Sequence, residues 1–379
     1  MNNIPRRLDA YRVPFVKPKE HYLRLKPEID GAFIGCLKNG DLIHRQQLLD
    51  FEKHLSAYVG TKYAIGLASG YHALLFGLMA AKVGPGDEVI TVAHTFAASV
   101  SAIVHTGAKP VLIDVQDDFN MDVTQLKTAL SNRTKAIMPV HLNGRLCDMD
   151  QVMDFADKHR LAVIEDACQA LGATHGGTMA GAFATGCFSF YPFKSLGGFG
   201  DGGALTTNDP DVARFATLMR YNGEDRATGD FFYHGHTALL DNVQAAVLDV
   251  KLRHFPAWLE HRREIAAIYS KGLAGIPGLS TPRIDGGKNR DACQNYVIRT
   301  VQRDSLRAHL TAAGIETLVS WPKPLWEHAG LSLGKPNLPK TKAICQEVLS
   351  LPLCAETTHE ETQFVIDSIR SFTSQCPSP

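Results

Sequence analysis

From Leu48 onward the apolar positions switch repeatedly between two periods. LLDFEKHLSAYVG (48–60) has helical apolar spacing and ends on glycine. SGYHALLFGLMAAKVGPGD repeats the design from Ser69 and stops at Gly84-Pro85-Gly86. EVITVAHTF (88–96), KPVLIDV, AIMPVHL and LAVIED are short, apolar and β-rich, with the helical stretches DVTQLKTALS and DMDQVMDFADKHR between them. Strands alternating with helices imply right-handed βαβ units and a mostly parallel sheet covered on both faces.

The alternation fades near residue 250. KLRHFPAWLEHRREIAAIYSKGLAG predicts one long helix, bent near Pro256. NYVIRTV (295–301), a helix through SLRAHLTAAG, and ETLVSW (316–321) suggest a smaller α+β domain. The expected division is therefore 1–250 for a large domain and 251–379 for a small one. GIPGLSTPRIDGGKNRD (275–291) is loop-like, and SQCPSP ends the chain as a frayed tail.

Composition narrows the class. Hydrophobic residues make up 45% and charged residues 21%, the balance of a soluble globular protein. Lys plus Arg and Asp plus Glu number 39 each, which leaves no electrostatic footprint for nucleic acid or an anionic membrane. MNNIPRRLDAYRVPF lacks the apolar core of a signal peptide, and no apolar run is long enough for a membrane span. The eight cysteines are scattered, without a C-x-x-C pair or a Cys/His cluster at metal-ligand spacing. Reduced cytoplasmic thiols and no metal are the expectation.

The chemistry concentrates in CFSFYPFKSLGGFGDGGALTTND (187–209). Lys194 sits among Phe188, Phe190, Tyr191, Phe193 and Leu196, ahead of a glycine-rich turn. Burial disfavours an ammonium and favours the neutral amine, the form that attacks carbonyls. Upstream, AVIEDACQALG runs an apolar strand into Asp166. Ligands of open α/β sheets bind beyond the carboxyl ends of strands. A lysine that holds an aldehyde as a Schiff base and an acid that keeps a pyridine nitrogen protonated together point to pyridoxal phosphate. Asp166 alone could instead cap a following helix, and Gln169 could reach a ring oxygen or complete a capping box. GLASGYHALL places Ser-Gly before a helix whose N-terminus could bind phosphate, or Ser69 is a simple cap. Ser189 could give its hydroxyl to that phosphate. Phe96, at the end of AHTF, could stack on a flat ring or fill the core. His141 faces the cofactor or satisfies a turn, and His234 and His236 sit in a solvated loop or cross to a partner.

Taken in order, GLASGYHALL, GPGDEVITVAHTFAAS, GAKPVLIDV, RTKAIMPVHLNG, VIEDACQALGA, CFSFYPFKSLGGFGDGGALTTND, LDNVQAAVL and VLSLPL resemble the DegT/DnrJ/EryC1/StrS family of sugar aminotransferases. The match runs from about Gly40 to Phe372. It implies an α/β, aspartate-aminotransferase-like fold type I: a large domain with a mostly parallel central sheet and a smaller C-terminal α+β domain. It implies Lys194 as the Schiff-base lysine, Asp166 at the pyridine nitrogen, Gln169 near the ring hydroxyl, and Phe96 stacked on the ring. Ser189 and the backbone around Gly70 and Tyr71 would hold the phosphate. Glutamate or glutamine would be the donor and a keto sugar the acceptor, in a homodimer with two sites at the interface.

This chain departs from the family pattern at Tyr71 and His72 after the Ser-Gly. It departs again at Thr237 and Leu239 in GHTALLDNVQAAVL, and at Ser320 and Trp326 in SWPKPLW. Those changes keep a ketocyclitol or other polyol ketone open as acceptor. A dehydratase on the same fold would carry histidine in place of Lys194. A regulator would need a binding signal such as a helix-turn-helix, and a nicotinamide dehydrogenase would need G-x-G-x-x-G after the first strand. The chain has none of these.

Overall fold

The structure, a computed structural model, describes residues 11–284 and 287–375. Residues 1–10, two positions of the 275–291 loop, and the last four residues of the SQCPSP tail lie outside the described residues.

The chain opens with α1 (Pro18–Asn39) and α2 (Gln46–Val59), followed by β1 (Tyr63–Leu67), α3 (Gly70–Ala80), β2 (Glu88–Val92), α4 (Ala97–His105) and β3 (Lys109–Ile113). Next come α5 (Leu126–Ala129), β4 (Thr134–Ile137), α6 (Met149–His159) and β5 (Ala162–Asp166). A hairpin of β6 (Thr174–His175) and β7 (Thr178–Met179) leads to β8 (Thr185–Ser189), β9 (Gly203–Thr207) and α7 (Pro210–Met219). The short pair β10 (Glu224–Asp225) and β11 (Asp230–Phe231) precedes α8 (Asn242–Leu273). The chain closes with β12 (Asn289–Arg290), β13 (Tyr296–Arg299), α9 (Arg303–Ala312), α10 (Pro339–Glu347), β14 (Val348–Leu351) and α11 (His359–Gln375).

Seven strands form the central sheet in the order β1-β9-β8-β5-β4-β2-β3. Every neighbouring pair is parallel except those made by β9, which runs against β1 and β8. Successive strand residues divide between two cores, as the period of two requires. Ile90, Val163, Phe188 and Ala204 join the cluster built on α2 and α8. Val89, Ile164, Cys187 and Leu205 join the cluster under α3 and α7. Both faces of the sheet are therefore dry, and the strands read as unbroken apolar runs. A third cluster packs Tyr269 of α8, Ile298 of β13, Leu310 of α9, Leu349 of β14 and Ile369 of α11 around the antiparallel β13–β14 pair.

Several elements differ from the sequence expectation. β2 stops at Val92, and Phe96 caps α4 instead of ending a strand. The Thr95 and Ser99 hydroxyls meet at 2.9 Å there, turning the backbone into the helix early. The long helix begins at Asn242 and runs unbroken through Pro256, with Phe255 and Trp258 packed inside on either side of it. It passes residue 250 without interruption. ETLVSW makes no regular strand: only Leu318 bridges, to Ser350. Among the described residues no helix is long and apolar enough to cross a membrane.

Candidate active site

The carboxyl ends of the parallel strands open onto a cavity of about 530 Å³, within the usual range for a cofactor site. Gly70, Tyr71, Phe96, Asp166, Gln169, Ser189 and Lys194 all line it. The sheet order explains the convergence, because β5 and β8 are adjacent and α3 packs across the end of β8.

Asp166 is the last residue of β5, directly opposite Cys187 of β8, and is buried. No helix follows it, so the capping alternative does not apply. Its Oδ2 accepts from Ser99 Oγ at 2.7 Å and its Oδ1 from the Cys168 amide at 3.3 Å. Ser99 in turn meets Thr95, so α4 orients the carboxylate from one side. Burial first, then the Asp166 charge, pushes the Cys168 thiol well above its ordinary range, while Lys194 opposes the shift. Cys168 is therefore a neutral thiol between the acid and the lysine.

Lys194 is half-buried at the cavity wall. Phe188, Phe190 and Leu196 are core residues as expected, but Tyr191 and Phe193 are 47% and 45% exposed. The difference from the expected buried lysine has a local cause. After β8 the chain leaves the sheet in a tight turn, with the Lys194 amide donating to the Tyr191 carbonyl at 2.8 Å. The turn lifts the lysine out of the aromatic run and faces it into the cavity.

At the other end of the cavity, Ser69 caps α3 and accepts from the His72 amide at 3.2 Å. A Cβ at Gly70 would stand 2.7 Å from Cys168 Sγ and 2.9 Å from Ser189 Cβ. Only glycine lets the first turn of α3 come this close to β8. The free amides of a helix start suit an anion. Ser189 Oγ accepts from the Tyr191 amide at 3.3 Å, which leaves its hydroxyl proton to donate. Tyr71 OH is hydrogen-bonded to His105 Nδ1. Phe96 is 64% exposed, a flat apolar face presented to the cavity and not a core residue. Gln169 makes no capping box, and its Oε1 accepts from the Asn143 amide at 2.8 Å. A flat ring between Phe96 and the floor, an anion at α3 and an aldehyde at Lys194 would each meet a matching group, so these residues fit pyridoxal phosphate.

The histidines resolve differently. His141 is fully buried, with Nδ1 accepting from the Cys147 amide at 3.3 Å and Nε2 3.1 Å from Glu165. Both nitrogens are satisfied by protein, which makes it a structural residue at the cavity edge. His236 packs its ring 5.9 Å from His72, while His234 is exposed. In the SWPKPLW stretch it is Trp321 that reaches the cavity, not Ser320 or Trp326. Trp321 adopts φ 51° and packs edge-on against His94, which burial and Arg299 push down to about 4. Sequence reasoning also missed Thr95, Ser99 and Gln294. The first two carried a signal, a hydroxyl pair four residues apart at a helix start; Gln294 carried none.

The model of the DegT/DnrJ/EryC1/StrS aminotransferase family matches residues 24–370. The chain belongs to that family. It is 38% identical to dTDP-3-amino-3,4,6-trideoxy-alpha-D-glucose transaminase of Streptomyces venezuelae over 97% of each chain. It is also 38% identical to a protein of Geobacillus stearothermophilus named pleiotropic regulatory protein, over 95% of this chain and 98% of that one. The crystal structure of S. venezuelae DesV in complex with a ketimine intermediate superposes with a TM-score of 0.93 at 38% identity, covering 96% of this chain and 98% of that one. The fold is that of the aminotransferases, and the chain is a pyridoxal phosphate-dependent transaminase of this family.

Proposed function

We propose that the enzyme moves an amino group from glutamate or glutamine to a keto sugar, of the nucleotide-linked 3-keto or 4-keto deoxysugar class, in amino-sugar biosynthesis. The observation that carries this reading is Lys194 and Asp166 on one cavity of a chain so similar, end to end, to a transaminase named for a dTDP-linked amino sugar.

When bound, pyridoxal phosphate supplies an electron sink for the carbon that loses its proton. Lys194 would hold the cofactor's aldehyde, and its Nζ, once free, would serve as base and then acid for the donor's α-proton. Asp166, fixed by Ser99 and the Cys168 amide, would be the acid partner of the ring nitrogen. Phe96 would cover one ring face, Gln169 would reach the ring hydroxyl, and Ser189 with the Gly70–Tyr71 backbone would hold the phosphate. The keto acid leaves before the keto sugar enters, so ping-pong kinetics follow.

The working form in this proposal is a homodimer with its sites at the interface. Its support is a run of exposed aromatics: Phe231 is 68%, Phe232 52% and Tyr233 45% exposed. Thr237 lies nearby on an exposed edge, bonded to Asn222 at 3.1 Å, where a partner's cofactor could meet it. A cytoplasmic location accords with the free thiols of Cys36, Cys147, Cys168, Cys187, Cys345 and Cys354.

An amine-transfer assay against keto sugars and ketocyclitols, with glutamate and glutamine as donors, tests the proposal. Turnover of a nucleotide-linked keto sugar is expected. Turnover confined to ketocyclitols, or none with either donor, would contradict it.

A further inference from the structure

Gln294, in the loop before β13, brackets Lys194 from behind. Its Oε1 accepts from the Ser195 amide at 2.7 Å and from Ser195 Oγ at 2.6 Å. Its Nε2 donates to the Phe193 carbonyl at 3.2 Å. One buried side chain thus holds the peptides on both sides of the lysine. The next residue reaches a second wall of the cavity. Asn295 Nδ2 donates to Asn143 Oδ1 at 3.2 Å, and the Asn143 amide donates to Gln169 Oε1.

The loop itself is anchored and tightly pressed. Arg262 of α8, buried, donates to the Cys293 and Gln294 carbonyls at 3.0 and 2.8 Å. Cys293 and Asn143 adopt φ 51° and 58°, in the left-handed region that side chains rarely occupy. Gly144, at φ 93°, faces the loop so closely that a Cβ there would stand 2.7 Å from the Gln294 nitrogen. Strain of this kind persists where the surroundings over-determine it, and it gathers at sites that must be held in place.

We propose that the Cys293–Asn295 loop sets the presentation of the cofactor site, with Gln294 the positioning residue for Lys194 and Asn295 for Gln169. The inference rests on the reading of Lys194 as the cofactor lysine. Fixing the Phe193 and Ser195 peptides fixes the direction of the Lys194 Cα–Cβ bond, and so where its amine reaches. Gln294 does not line the cofactor cavity, so it acts on that site through the lysine.

The test uses the holoenzyme and three variants. Gln294→Leu removes all three side-chain bonds at similar volume. Gln294→Glu keeps the acceptor for Ser195 and turns a carboxylate toward the Phe193 carbonyl. Asn295→Ala releases only the Gln169 side. In Gln294→Leu, kcat is expected to fall by about 10- to 100-fold with KM little changed. The pH midpoint of the bound cofactor's visible absorbance should move by roughly half a unit or more, with one cofactor still bound per chain. Gln294→Glu should show a smaller loss of kcat, and it carries the test if the leucine variant does not fold. Asn295→Ala should spare the midpoint and slow turnover. Unchanged kcat and midpoint in the Gln294 variants, with only a lower melting temperature, would overturn the proposal. A parent enzyme whose cofactor cannot be trapped on Lys194 would instead overturn the reading beneath it.

Discussion

At the carboxyl end of β5, the Asp166 carboxyl is buried, and two donors, the Ser99 hydroxyl and the Cys168 amide, hold it in place. Asp166→Asn preserves the shape and removes the charge. Its kcat should fall by about 10²- to 10³-fold while the cofactor stays bound, read by steady-state rate and absorbance together. Activity near the parent level would remove Asp166 from the mechanism. Asp166 was legible because an apolar run ended on an acid. Lys194 was legible because a charge interrupted an aromatic run, although its half-buried position was not. Ser99 and Gln294 act across 67 and 99 positions of sequence, and no local pattern reports a partner that distant.

Elements decide how closely these residues approach. The first turn of α3 lies against β8 only because residue 70 lacks a side chain. Gly70→Ala should cost about 1–3 kcal/mol of stability by overpacking, and it should weaken cofactor retention on dialysis. Unchanged retention would show that the approach of α3 does not form the phosphate cradle. Helix α8 braces the lysine turn from below, with Lys251 Nζ donating to the Gly197 carbonyl at 2.5 Å. Burial, against a weaker pull from Glu356, lowers that amine from 10.5 to about 8. Between those two values the unfolded chain holds a proton that the folded chain has lost, so stability rises with pH across the window. Below it both states are charged, and the cost of burying the charge, about 3 kcal/mol, remains in full. Lys251→Met should therefore flatten the rise in urea midpoint between pH 8 and 10.5; an unchanged rise would assign it to another group. The alternation of strand and helix was readable because period two and period 3.6 differ over a few residues. The end of β2, where Thr95 and Ser99 pair their hydroxyls, and the start of α8 at Asn242 were not, although one long helix through Pro256 was.

At the scale of the whole molecule, the parallel sheet brings strand ends together and the antiparallel β9 returns the glycine-rich turn to the same edge. The order of the strands, which no single segment encodes, brings residues as far apart as Gly70, Asp166 and Lys194 onto one cavity. The exposed aromatics at Phe231 and Phe232 predict that the double variant Phe231→Asp, Phe232→Asp sediments as a monomer where the parent sediments as a dimer. A variant that stays dimeric would move the interface elsewhere. The central claim is that Lys194 holds the cofactor, and borohydride reduction of the purified holoenzyme followed by peptide mapping tests it most directly. The account predicts a pyridoxyl group on the peptide containing Lys194, lost in Lys194→Ala together with the visible absorbance. A label on any other lysine, or a fully active Lys194→Ala enzyme, would contradict it.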